Sequence, residues 1–249
     1  QEAARTAGQI LRDLFRGPRE VRMKGFRDPV TDADFAAHHA IRQILSSHFP
    51  AHTIRSEEDE HALDPGEWHW IVDPIDGTMN YARQYPVFSI SIALVRDTAL
   101  EVGVIYDPLR DEMYSAERGQ GATLNGERIQ VSAIDKLSGA VIGAEFPRKP
   151  ALRAKSLAYF TQLASQAITA RVGGSAALSF AYVAAGRLDA YYHYTLSAWD
   201  VAAGLLILDE AGGRATDHSG RPVTVYSEQY LATNGRLHET LLGILGGGH

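Results

Sequence analysis

Trp70-Ile71-Val72-Asp73-Pro74-Ile75-Asp76-Gly77-Thr78-Met79-Asn80 is the stretch that decides how this 249-residue chain is read. Trp70-Ile71-Val72 is a short apolar run of the kind that forms a buried strand. Two carboxylates, Asp73 and Asp76, follow directly. Gly77-Thr78 then gives a small, permissive step into a helix. Such a junction sets hard anionic oxygens beside free backbone N–H groups. Oxygen ligands suit Mg²⁺, and a helix start suits a phosphate. The local chemistry therefore points to a metal-bound phosphate.

Upstream, residues 2–16 place Ala3, Ala7, Ile10, Leu11, Leu14 and Phe15 at helical spacing, and Gly17-Pro18 ends that helix. A short strand at Val21–Lys24 and a turn over Gly25–Pro29 lead to a second helix opened by Thr31-Asp32-Ala33-Asp34. There Thr31 reads as the N-cap and Asp34 as the reciprocal acid of a capping box. Thr53–Arg55 reads as a strand running into Glu57-Glu58-Asp59-Glu60. Taken alone, that acidic run is a solvated loop; the other reading is a metal ligand at a strand end. Residues 61–67 read as a polar loop.

Downstream, the middle of the chain reads as an antiparallel meander. Val87–Val95 alternates, with Phe88, Ile90, Ile92 and Leu94 on one face. Strands follow at Leu100–Ile105 and Glu112–Ala116. Asn125-Gly126 forms a hairpin turn between Ala122–Leu124 and Ile129–Val131. Near 138 the pattern changes to mixed strands and helices. A strand at Ala140–Gly143 precedes a helix over 151–166, with Leu152, Leu157, Phe160 and Leu163 as its buried positions. A strand at Ala170–Val172 and a helix from about Gly173 to Ala185 follow. Next come a strand at Leu188–Tyr194 and a buried helix, Val201–Ala211, led by Ser197-Ala198-Trp199-Asp200. One or two short strands and a helix near 236–245 close the chain, and Gly246–Gly248 reads as frayed. The expected organisation is one domain over 1–249 with two subdomains, 1–137 and 138–249. Its class is α/β (α+β), a layered sandwich.

The formal net charge of −6 argues against a nucleic-acid partner. The chain has no cysteine, which removes disulfides and thiolate zinc sites and fits a cytoplasmic protein. No apolar run reaches the roughly 20 residues of a membrane span, so no membrane partner is expected.

The acids Glu57, Asp73, Asp76 and Asp200 each have an innocent reading. Asp200 can be the capping-box partner of Ser197, and Asp73 and Asp76 can be turn formers around Pro74. Jointly they are harder to dismiss, because charges so close to a core need partners. A shared cation supplies one. Gly173-Gly174-Ser175-Ala176 is a second small-residue helix start, by itself weak evidence for a ligand site.

These residues carry a resemblance to the inositol monophosphatase family, the lithium-sensitive, Mg²⁺-dependent phosphatases related to fructose-1,6-bisphosphatase. Trp70–Tyr81 resembles its first signature and Trp199–Gly204, continuing to Glu210–Gly213, its second. Gly174-Ser175-Ala176-Ala177, Asp28–Asp34 and Glu57-Glu58 fall in the expected order, so the match covers nearly the whole chain. The resemblance implies an αβαβα sandwich and a homodimer. Its substrate would be a small phosphate ester, inositol 1-phosphate or a related sugar or polyol phosphate. It implies two or three Mg²⁺ ions, with Mn²⁺ as a substitute. Glu57, Asp73 and the Ile75 carbonyl would hold the first; Asp73, Asp76 and Asp200 would hold the second. A third, weaker ion would sit near Glu57. Asp34, Glu57 and Thr78 would be catalytic, Thr78 and Asp34 deprotonating the attacking water, with Gly77 and Thr78 against the phosphate. Arg171, Ser175 and His193 would face the substrate.

Two positions depart from the family pattern: Ser56 stands where a glycine is usual, and His193 where inositol-specific members place an acid. Fructose 1,6-bisphosphate, histidinol phosphate, adenosine 3′,5′-bisphosphate and NADP therefore stay open as substrates. A haloacid dehalogenase-type phosphatase needs Asp-x-Asp, and Pro74 and Ile75 put Asp73 and Asp76 out of that register. A non-catalytic metal- or phosphate-binding regulator of the same fold is the rival from another class.

Overall fold

A computed structural model describes residues 1–17, 21–25, 28–59 and 67–246. Residues 61–66 of the loop expected over 61–67, Pro18, Phe26, Arg27, Glu60 and the final Gly247–Gly248 lie outside the described residues. Two helices open the chain, α1 (Glu2–Leu14) and α2 (Asp32–His48), with the hairpin β1 (Val21–Gly25) and β2 (Asp28–Thr31) between them. A seven-stranded sheet follows in chain order: β3 (Thr53–Ser56), β4 (Trp68–Asp76), β5 (Ser89–Arg96), β6 (Ala99–Asp107), β7 (Glu112–Glu117), β8 (Gly121–Leu124) and β9 (Glu127–Arg128). Only β3 and β4 pair in parallel; the rest is the expected meander. The short helix α3 (Thr78–Ala82) joins β4 to β5.

The second sheet has five strands in the order β11-β10-β12-β14-β13. These are β10 (Val141–Ala144), β11 (Thr169–Arg171), β12 (Ala190–His193), β13 (Arg214–Thr216) and β14 (Tyr230–Thr233), with α4 (Pro150–Gln166), α5 (Ala176–Ala184), α6 (Ala198–Glu210) and α7 (His238–Gly246) among them. α1 and α2 pack on one face of the seven-stranded sheet. α5 and α6 fill the space between the two sheets, and α4 and α7 cover the outer face of the second. The layers therefore run α-β-α-β-α, as expected.

The middle layer explains the apolar character of α6, whose Val201–Leu208 run is buried throughout. A helix between two sheets has no solvent face. Its backbone lies directly on β6: a Cβ at Gly103 would sit 2.7 Å from the Ala203 carbonyl oxygen. On the other side, a Cβ at Gly204 would meet the Phe180 Cβ of α5 at 2.5 Å.

Local differences from expectation have local causes. The Asn125-Gly126 turn exists, with both residues at positive φ (51° and 87°), which a two-residue hairpin turn demands. It pairs Leu124 with Glu127, so the returning strand is Glu127–Arg128 and not Ile129–Val131. Leu157 is exposed, and the inner positions of α4 are Ser156, Tyr159 and Leu163. β5 is buried on both faces up to Arg96, because helices cover both sides of its sheet. No described helix is long and apolar enough to cross a membrane.

Candidate active site

The end of β4 sets the site. Side chains three apart on a regular strand point to opposite faces. Asp73 pairs with Ser91 but Asp76 pairs with Ser89, so β4 spends one extra residue against β5. Pro74 has no N–H for the ladder and fits such a bulge. The bulge brings both carboxylates to one place.

Asp76 reaches across to the start of α5. Its oxygens accept the Ala176 and Ala177 N–H groups at 3.2 and 3.0 Å, and the Ser175 hydroxyl also donates to it. Asp200 arrives from the first turn of α6. It accepts the Ser197 N–H at 2.6 Å in the expected capping box. Oxygens of Asp73, Asp76 and Asp200 all lie within 4.8 Å of one another.

Charge accumulates there. Burial, and next Glu57, Asp76 and Asp200, push the Asp73 carboxyl well above the usual range. Asp200 is raised well above it too, by burial and then by Asp76. Asp76 is pushed up by burial to about 6, although the donors from α5 hold it down. Such a set of hard, crowded oxygens fits Mg²⁺, which takes carboxylate and carbonyl oxygen ligands.

Glu57 follows β3, and its N–H donates to the Val72 carbonyl at 3.1 Å. The acidic run around it divides. Glu57 lines the cavity described below, whereas Asp59 is structural, accepting the Ser56 N–H at 2.7 Å and the Arg42 guanidinium at 3.1 Å. His38 Nδ1 and the Ser56 hydroxyl, 2.9 Å apart, secure the same turn.

Asp34 is a cap and a neighbour of the site at once. One oxygen accepts the Thr31 N–H and hydroxyl, both at 2.7 Å. The other lies 3.4 Å from the Thr78 hydroxyl, which also reaches the Ile75 carbonyl at 2.9 Å. Burial raises the Asp34 carboxyl to about 7.

A cavity of about 870 Å³ opens over these groups, lined by Glu57, Asp73, Ile75, Asp76, Gly77, Thr78 and Asp200. Gly77 sits at φ +93°, with the Gly174 carbonyl 3.0 Å from where a Cβ would be, so a larger residue is strained there. His193 also lines the cavity, and its Nδ1 accepts the Thr195 N–H at 3.0 Å. Burial, His218 and Arg148 lower its pKa to about 4.

Two expected substrate contacts lie elsewhere. Arg171 is on the edge strand β11, exposed, and donates to the Ala170 carbonyl at 3.0 Å and to the Thr169 hydroxyl; it does not line the cavity. Ser175 is buried beneath Asp76 and supports a carboxylate instead of facing a ligand. Sequence reasoning missed the turn from Glu145 to Arg153, which forms one wall of the cavity. The Glu145 carboxylate accepts the Gly174 N–H at 3.1 Å, and burial followed by Asp76 and Asp200 raises its pKa to about 8. The visible signal was Pro147-Arg148-Lys149-Pro150, a basic pair between two prolines.

Nus factor SuhB of Salmonella typhimurium is 38% identical over 244 residues, spanning 96% of this chain and 91% of its own length. The crystal structure of extragenic suppressor protein SuhB from Bartonella henselae has a TM-score of 0.95 at 36% identity, covering 100% of this chain and 97% of that one. The Thermotoga maritima IMPase has a TM-score of 0.92 at 34% identity, covering 99% and 94%. The profile of the inositol monophosphatase family matches residues 1–246, and the chain belongs to that family.

Proposed function

We propose that this chain hydrolyses a small phosphate monoester with Mg²⁺ as cofactor. One observation carries the reading: Asp73 and Asp76 at a strand end and Asp200 from α6 bring their oxygens within 4.8 Å of one another, at the floor of a cavity that Thr78 also lines.

Glu57, Asp73 and the Ile75 carbonyl would hold one Mg²⁺, and Asp73, Asp76 and Asp200 a second. When bound, the ions supply positive charge against the phosphate and make water more acidic. The chain's own groups do the rest. Backbone N–H groups of Gly77 and Thr78 orient phosphate oxygens. Thr78 passes a proton from the attacking water to the free oxygen of Asp34, its own hydroxyl proton moving on to that carboxylate. Burial raises the Asp34 carboxyl from the ordinary range, which favours its taking a proton. The donors from α5 hold Asp76 in place, so the floor does not reorganise during the reaction.

The test is phosphate release from inositol 1-phosphate, fructose 1,6-bisphosphate, histidinol phosphate, adenosine 3′,5′-bisphosphate and NADP, with and without Mg²⁺ and with added Li⁺. Mg²⁺-dependent release supports the reading, and Li⁺ inhibition ties it to the family's ordinary chemistry. Relatives named Nus factors favour a second reading, in which the fold serves a macromolecular complex without turnover. That reading gains if Mg²⁺ binds but no ester is cleaved. Homodimerisation is proposed with the first reading and is checked by light scattering.

A further inference from the structure

The turn that presents Glu57 is closed by its own backbone. Asp59 accepts the Ser56 N–H at 2.7 Å, and the Ser56 carbonyl accepts the Asp59 N–H at 3.2 Å. The Glu58 N–H donates to the Ser56 hydroxyl oxygen at 3.4 Å, and the Glu57 N–H to the Val72 carbonyl at 3.1 Å.

Two further contacts tie this turn to α2. The Ser56 hydroxyl lies 2.9 Å from Nδ1 of His38, and Arg42 donates to Asp59 at 3.1 Å. Asp34, His38 and Arg42 are spaced by four, so they share one face of the helix. Asp34 lies at the site end of that stripe, 3.4 Å from the Thr78 hydroxyl. One helix face thus carries the proposed proton acceptor and also grips the turn that bears Glu57.

The two ties differ in kind. The Arg42 side chain is 39% exposed, and an ion pair open to water adds little. Ser56 and His38 are 3% and 7% exposed, and a buried hydroxyl left without a partner is costly. The buried pair also acts on the residue next to Glu57. Its protons run in one direction. The Glu58 N–H occupies a lone pair of the Ser56 oxygen, and the hydroxyl proton goes to Nδ1. The ring proton then sits on Nε2, 3.9 Å from an Asp59 oxygen. Burial lowers the His38 pKa, in keeping with a neutral ring. Asp59, His38 and Ser56 follow the order of a hydrolytic triad, but Ser56 is too deeply buried to meet a substrate and is no nucleophile.

We propose that His38 and Ser56 are positioning residues: their hydrogen bond holds Glu57, a ligand of the first Mg²⁺, at a fixed distance from Asp34. This rests on the hydrolytic reading above. It gives the serine at 56, one of the two departures in the sequence, a role in the metal site.

The experiment titrates Mg²⁺ calorimetrically into the wild type, Ser56→Gly, His38→Ala and His38→Asn, and into Glu57→Gln with and without His38→Ala. Melting curves in chelator show that each is folded; the Arg42–Asp59 tie remains in all of them. Mg²⁺ affinity is expected to fall about tenfold in Ser56→Gly and in His38→Ala, the usual effect of removing the support of a metal ligand. His38→Asn, whose side-chain oxygen takes the place of Nδ1 as acceptor, should restore it. In the Glu57→Gln background His38→Ala should cause no further loss, because it acts through Glu57. Variants that melt lower but bind Mg²⁺ like the wild type overturn the proposal, as does an equal loss in the Glu57→Gln background. Should Ser56→Gly not fold, the contrast between His38→Ala and His38→Asn decides. If the wild type binds no Mg²⁺, the hydrolytic reading fails, and amide hydrogen exchange of the metal-free protein decides. The Glu57 and Glu58 N–H groups should then exchange about tenfold faster in His38→Ala and at the wild-type rate in His38→Asn. Equal rates in all three remove the positioning role.

Discussion

Ser175 donates its hydroxyl to Asp76 across 99 positions of chain, joining the start of α5 to the end of β4. The same oxygen accepts the Leu178 N–H at 3.3 Å as the N-cap of α5. One side chain thus closes a helix and steadies a candidate metal ligand.

Ser175→Ala is expected to cost about 1 kcal/mol of folding stability through the lost cap. It should also weaken Mg²⁺ activation by about tenfold or more, as a lost support of a ligand does. Thermal melts and Mg²⁺ titration of activity check both. A variant with unchanged Mg²⁺ dependence would falsify the supporting role.

Asp76→Asn and Asp200→Asn should each abolish phosphate release by removing a ligand, while the metal-free protein becomes no less stable. In each case the lost carboxylate relieves repulsion in a cluster whose members raise one another. Melting curves in chelator and in Mg²⁺ separate the two effects. Wild-type-like turnover of either variant at limiting Mg²⁺ would remove the site assignment.

Thr78→Ala and Asp34→Asn should lower kcat by about 10²-fold or more, in the range of acid–base assistance, with Mg²⁺ binding retained. Asn at 34 keeps an acceptor for Thr31, so the capping box of α2 survives. The profile of kcat against pH should lose its acid limb in Asp34→Asn. A profile identical in shape to the wild type would exclude Asp34 as proton acceptor.

The stability of the metal-free protein should fall as pH rises above 6.5. Asp76, Asp34 and Glu145 have folded-state values of about 6, 7 and 8, above the ordinary 3.8, 3.8 and 4.5. Raised carboxyls hold protons that the unfolded chain has released, so their stabilisation is present at low pH and is lost as pH rises through the folded values. His193, His218 and His238 act the other way. Each is lowered from 6.5 to about 4 by burial, so its contribution is complete above 6.5 and is lost as pH falls towards 4. Above 6.5 these three histidines contribute no further change. Mg²⁺ offsets the repulsion among the carboxyls, so the rise in Tm on adding Mg²⁺ should grow from pH 6.5 to about pH 8. A rise that is constant over that range would contradict the charge assignment.

His193→Glu replaces a donor with an acceptor in the cavity wall. Preference should move towards inositol 1-phosphate, read as the ratio of kcat/KM values across the substrate panel. An unchanged ratio would place His193 outside substrate contact.

By itself the sequence determined the elements that rest on local rules. Apolar periodicity placed α1, α2 and the meander. Reciprocal side chain and backbone bonds made Thr31–Asp34 and Ser197–Asp200 legible as capping boxes. The two signature stretches, set in order along the chain, named the acids of the floor. What the tertiary structure alone decided depends on register and on contacts between distant segments. The spacing of Asp73 and Asp76 does not say that they share a face; the bulge at Pro74 does that. Ser175 and Arg171 sit at comparable places in the sequence, yet one is buried under Asp76 and the other lies on a sheet edge. The turn at Arg148-Lys149 carries no local signal of its place; β10 and α4 bring it to the cavity. Local chemistry chooses strand, helix and cap, but which side chains meet across 100 or more positions is fixed only when the layers pack, because packing is what sets one face of an element against another.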